Sequence, residues 1–186
     1  MSGRFPFIMK TIAIVTTAVT VILIAAFNLL PDNRILAAAI TFGTTAYHFI
    51  MRLAVGYIIP KVTGYRFDWN GRWFQPRRWE ASLYKKLRLK KWKGQLPTYA
   101  PGQFSLENQS MARIIQNMCG AEIVHEIIMV LSFLPLALIP VFGEPAVFFI
   151  TSALSALFDS LFIMAQRFNR PRLIRIHEKQ EAQRHE

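Results

Sequence analysis

The chain has 186 residues, 53% of them hydrophobic, yet carries a formal net charge of +11. Positive mean hydropathy with so basic a balance requires apolar and basic residues to be segregated, which argues against a soluble domain and for a multi-span membrane protein with one basic side. Cys119 is the only cysteine, so an internal disulfide is excluded. Basic charge alone fits nucleic acid or anionic lipid. Beside the apolar runs it favours lipid, and no nucleic-acid partner is expected.

Residues 11–30 are apolar or small and uncharged, about the length that crosses ~30 Å of hydrocarbon, and are read as a retained first span. Pro31-Asp32-Asn33-Arg34 is a turn. Residues 35–60 form the second span, interrupted by His48 and Arg52. Four apart, these share a helix face that should look into the bundle. Counted back from Pro60, Arg52 lies roughly 12 Å deep and His48 roughly 18 Å.

Residues 61–121 make a segment between spans 2 and 3. Its first part, up to Gln103, holds eleven basic residues against Asp68 and Glu80, with tryptophan and tyrosine interleaved. Such composition suits the headgroup level of a membrane. Within it Trp79, Leu83 and Leu87 recur every four residues, which predicts a short interfacial helix. Ser105 is expected to cap a helix that runs on to the third span, 122–142, where Pro135 and Pro140 should kink or end it. The fourth span is 146–165, with Asp159 near its end, and 166–186 is a basic tail.

These elements predict an all-α chain, a single membrane domain over 1–186, built as an integral membrane four-helix bundle with a basic, aromatic-rich cytosolic interfacial segment. The positive-inside rule puts both termini and the segment in the cytosol, in a bacterial cytoplasmic membrane.

Chemistry is expected where polar groups meet the apolar runs. Glu122, His125 and Glu126 share a helix face at the start of span 3. His125 has the makings of a general base, with Glu122 to orient it. Arg52 should pair with Asp159 or Glu122. After span 4, Arg167, Asn169, Arg170 and Arg172 are spaced to hold phosphate or carboxylate. One Glu-x-x-His does not make a di-iron site, which needs two, so no metal and no bound cofactor is expected. For any one of these charges, locking the bundle together is an equal reading.

Three blocks carry a resemblance. They are Trp79-Glu80 with residues 84–93 and Leu96-Pro97, then Ala121 to His125, then Gln166-Arg167-Phe168-Asn169-Arg170-Pro171-Arg172-Leu173. Together they resemble the glycosyl-4,4'-diaponeurosporenoate acyltransferase family, small bacterial membrane proteins described as esterifying the sugar of a glycosylated carotenoid. Phe168 stands where that family usually has tyrosine. Asn117, Met118 and Gly120 replace its glutamate, threonine and arginine, and Glu126 a common tryptophan.

The resemblance implies an acyltransferase that moves a fatty acyl group from acyl-CoA or acyl-carrier protein to a hydroxyl of a glycosylated lipid or carotenoid at the cytosolic face. His125 and Glu122 would then be catalytic. Arg167, Asn169, Arg170, Arg172, Lys91, Trp92, Lys93, Arg52, His48 and Asp159 would bind substrate. Membrane lipids, the acyl donor and a glycosylated acceptor are the implied partners, and a homo-oligomer is compatible. A non-catalytic adaptor that docks anionic lipid is the alternative.

Overall fold

The structure is a computed structural model that describes residues 4–184. The first three residues, and the last two of the tail expected over 166–186, lie outside the described residues. Among those described, all regular structure is helical. In chain order the helices are α1 (Arg4–Leu29), α2 (Asn33–Thr63), α3 (Arg78–Lys86), α4 (Leu89–Trp92), α5 (Met111–Leu131), α6 (Ile139–Phe142) and α7 (Pro145–Arg184).

Three stretches are long and apolar enough to cross a membrane: Arg4–Leu29, Met111–Phe142 and Pro145–Arg184. They mark the chain as a membrane protein. Four spans were expected, and α2 is the one that does not qualify, because Thr41, Thr44, Thr45, His48 and Arg52 dilute its apolar run. One boundary also differs from expectation. α5 starts after Ser110, whose Oγ accepts the Arg113 amide at 3.2 Å, whereas Ser105 only closes a local turn with Glu107. The cap is therefore Ser110. α5 ends at Leu131, and the two prolines fall in a 3-10 turn, Leu134–Leu138, and in the first turn of α6. α7 continues through Pro171 to Arg184, so the residues expected as the tail begin as helix.

The chain divides into two compact units. One holds residues 4–57 together with Ile127–Asp159. In it, α2 buries Ile40, Thr44, His48, Met51 and Val55, a stripe at helical spacing. At Gly43 α2 runs close to α1: a Cβ there would meet the Thr20 methyl at 3.4 Å, in ordinary van der Waals contact. Small residues at such a crossing are what lipid-embedded helices use to pack. The outward side of α1 exposes Phe7, Ile14, Val21 and Ile22, as a lipid-facing helix should. On α7 the buried stripe is Phe148, Ser152, Ser155 and Asp159. Tyr47 donates to the Leu131 carbonyl at 2.9 Å, satisfying one of the open acceptors at the end of α5.

The other unit holds Ile58–Glu126 and residues 160–184. Its core is α5, which buries Ile114, Ile115, Met118, Cys119 and Glu122. The loop after α2 is clipped to α5 by Gln116, which accepts the Phe67 amide at 2.7 Å and donates to the Phe67 carbonyl at 2.8 Å. Gly64 and Tyr65 both take left-handed backbone, and this turns the Tyr65 ring onto α5 at Gly120. A Cβ on Gly120 would overlap that ring. Alanine for glycine inside a helix ordinarily gains about 1 kcal/mol, but overpacking costs about 1–3 kcal/mol. Tyr65 cannot easily yield, since its backbone is constrained. Gly120→Ala is therefore expected to lower the thermal midpoint, and a raised midpoint in a detergent melt would contradict the close approach.

Candidate functional site

The second unit is built around one buried knot of charge. Glu122 on α5 is 0% exposed and Arg170 on α7 is 1% exposed. The two Glu122 oxygens are shared out: Arg167 donates to one at 2.6 Å, and Arg170 donates to the other. Arg167 also pairs with Glu80 of α3 at 2.7 Å, and Tyr84 donates to the far oxygen of that carboxylate at 3.1 Å. Burial, and then the Glu80 charge, push the Tyr84 hydroxyl well above its usual range, so it stays a donor.

The segment before α3 completes the knot with backbone. Arg167 donates to the carbonyls of Trp73 at 3.0 Å and Gln75 at 2.9 Å, and Arg170 to that of Phe74, whose ring lies under the guanidinium. Two guanidiniums and two carboxylates thus cancel, and most of their hydrogen-bonding capacity is used inside the protein. This is how buried charge is tolerated. It also leaves Arg170 no surface to offer a ligand.

His125 lies one turn beyond Glu122 on α5, half-buried, with its ring stacked on Phe162 of α7 (centroids 4.6 Å apart, planes 10° apart). Glu126, next in sequence, accepts the indole N–H of Trp73 at 2.9 Å. A few residues further along α7, Asn169 accepts a hydrogen bond from the Lys93 ammonium, which rests over the Phe168 ring at 4.7 Å. Lys91 and Arg172 are exposed, and Trp92 donates to the Leu87 carbonyl at 3.0 Å.

The remaining sequence candidates lie in the other unit. Arg52 pairs with Asp159 at 2.5 Å and donates to Ser155 Oγ at 2.8 Å, and Ser155 is joined to Ser132 at 2.8 Å. His48, one turn before Arg52, is 4% exposed, and neither ring nitrogen has a partner. Arg52 and Asp159 therefore meet as buried opposite charges should, while Glu122 takes its partners from α7.

Sequence reasoning missed Glu80, Tyr84, Phe162, Trp73 and the three carbonyls at 73–75. Glu80 carried a signal. It is one of two acids in a stretch with eleven basic residues, and a lone acid there is a candidate counter-ion. The stack on Phe162 and the carbonyl contacts left none, because they depend on tertiary placement.

These features define a helical membrane protein whose internal charges are paired and whose chemistry-bearing groups gather on the matched faces of α3, α5 and α7. The chain belongs to the glycosyl-4,4'-diaponeurosporenoate acyltransferase family, whose description matches residues 70–179, more than half of its length. It is thus a member of an acyltransferase family named for a carotenoid substrate. The matched stretch contains Glu80, Lys93, Glu122, His125 and residues 167–172, and leaves out His48 and Arg52. No curated protein and no solved structure matches the chain.

Proposed function

We propose that the protein moves a fatty acyl group from a thioester, carried by coenzyme A or a carrier protein, to a sugar hydroxyl of a glycosylated lipid or carotenoid. His125 takes the proton from the attacking hydroxyl. The oxygen adds to the thioester carbonyl, the C–O bond forms as the C–S bond breaks, and the imidazolium returns its proton to the departing thiolate. Glu122 acts as a positioning residue: it binds Arg167 and Arg170 and so holds α5 against α7, with His125 one turn away. The observation that carries this reading is a half-buried imidazole within the stretch matched to an acyltransferase family.

The acceptor's apolar tail lies among the spans, with α2 as a fourth. Exposed Trp79 and Leu87, flanked by Arg77, Arg78, Lys85 and Lys86, rest on the anionic cytosolic leaflet. Both termini lie on that side.

His125→Gln is expected to lower acyl transfer by about 10²–10⁴-fold with an unchanged thermal midpoint. The measurement is mass spectrometry of the acylated product, from protein in lipid nanodiscs given acyl-CoA and a glycolipid acceptor. Transfer at the wild-type rate would remove His125 from the chemistry and leave an adaptor that only docks lipid.

A further inference from the structure

Arg167 and Arg170 are occupied by carboxylates, so an anionic substrate must be met by other cations. Lys93 is set apart from its neighbours. Its ammonium is held by the Asn169 amide oxygen, and the charged groups that act on it are cations. Burial, then Arg172 and Lys90, push its pKa down. Positive charges gathered around a half-buried ammonium are stabilised by an incoming anion. Phe168, on which Lys93 rests, also lines an open groove of about 630 Å³ along the last part of α7. Pro171 adds to its apolar wall, and Arg172, Arg175 and Lys179 supply three cations against Glu178. The volume is in the range of sites for small organic ligands, ~300–1,000 Å³.

The spacing along α7 narrows the ligand. His125 stacks on Phe162. From Phe162 the helix rises ~15 Å to Arg172 and ~20 Å to Arg175. That span is comparable to an extended pantetheine arm, which separates a thioester sulfur from a phosphate ester.

We propose that Lys93, Arg172 and Arg175 seat the phosphate of the acyl donor's phosphopantetheine arm at the near end of the α7 groove, with the arm running back along α7 to place its thioester at His125. The proposal rests on the acyl-transfer reading and names its donor chemistry, which coenzyme A and a carrier protein share.

Binding, not turnover, tests it. Calorimetry on the protein in neutral-lipid nanodiscs is to compare 4'-phosphopantetheine, pantetheine, coenzyme A and a holo-acyl-carrier protein. Phosphopantetheine should bind at least about tenfold more tightly than pantetheine, the worth of one charge-assisted hydrogen bond. Lys93→Gln with Arg172→Gln should erase that difference, and Lys93→Arg should keep it. Tighter binding of coenzyme A identifies the free donor, and tighter binding of the carrier protein identifies the protein-bound one; either supports the seat. Equal binding of pantetheine and phosphopantetheine overturns it, as does a glutamine double variant that binds like the wild type. So does loss of all binding when anionic lipid is added at constant ionic strength, which would assign the cations to headgroups. His125→Gln should bind phosphopantetheine normally, so failure of the seat and failure of the catalytic reading give different results.

Discussion

Glu122→Ala is expected to prevent stable folding of the second unit. The substitution leaves Arg170, at 1% exposure, with the Phe74 carbonyl and the face of its ring but no carboxylate, and leaves Arg167 with Glu80 as its one carboxylate beside the Trp73 and Gln75 carbonyls. Breaking a buried ion pair by removing one partner costs about 3–5 kcal/mol. That is a large part of the ~5–15 kcal/mol that holds a typical domain together. The check is a thermal melt in detergent beside a compensated variant, Glu122→Met with Arg170→Met. The single change should collapse the midpoint, and the double change should restore much of it, because no charge is then stranded. An unchanged midpoint for Glu122→Ala would mean that the knot is not closed as described.

Asp159→Leu should be nearly as severe, for a related reason. Arg52 keeps the His48 and Ser155 carbonyls and the Ser155 hydroxyl, but no anion. If this unit lies in hydrocarbon, water cannot make up the loss, and a central arginine costs several kcal/mol. Pairing Asp159→Leu with Arg52→Met should recover the yield of folded protein in membranes. The readout is the folded fraction by size-exclusion chromatography after extraction. If the double variant is no better than the single one, the pair has a role beyond charge balance. In that case His48, whose ring nitrogens stand unpartnered beside Arg52, is the first residue to examine.

Much of this was legible in the residues themselves. Apolar runs announce spans because hydrocarbon demands contiguous apolar side chains, and α1, α5 and α7 follow from that. Arg52 was readable as needing an acid, Asp159 or Glu122, because charges inside apolar runs have few alternatives, and the fold chose Asp159. The arginines after Asp159 were readable as a cluster but not in their function. Sequence spacing shows that Arg167 and Arg170 share a helix face, and only the fold shows that Glu80 and Glu122 close on it. The same gap explains the helix ends. Ser105 was the expected cap, but the turn at 105–109 moves the start of α5 to Ser110. Pro171 would stop an isolated helix, yet α7 passes through it, with Arg167 and Arg170 anchored on one side and the groove on the other.

The internal pairing also settles where the chain's electrical character resides. Arg52, Arg167 and Arg170 cancel Asp159, Glu80 and Glu122, so the surplus of +11 is carried by the remaining groups. Ionic strength screens exposed charge over roughly 8–10 Å under ordinary conditions and touches buried pairs far less. Raising the salt would therefore loosen the protein's grip on an anionic bilayer while leaving its interior intact: adhesion and architecture answer to different sets of residues.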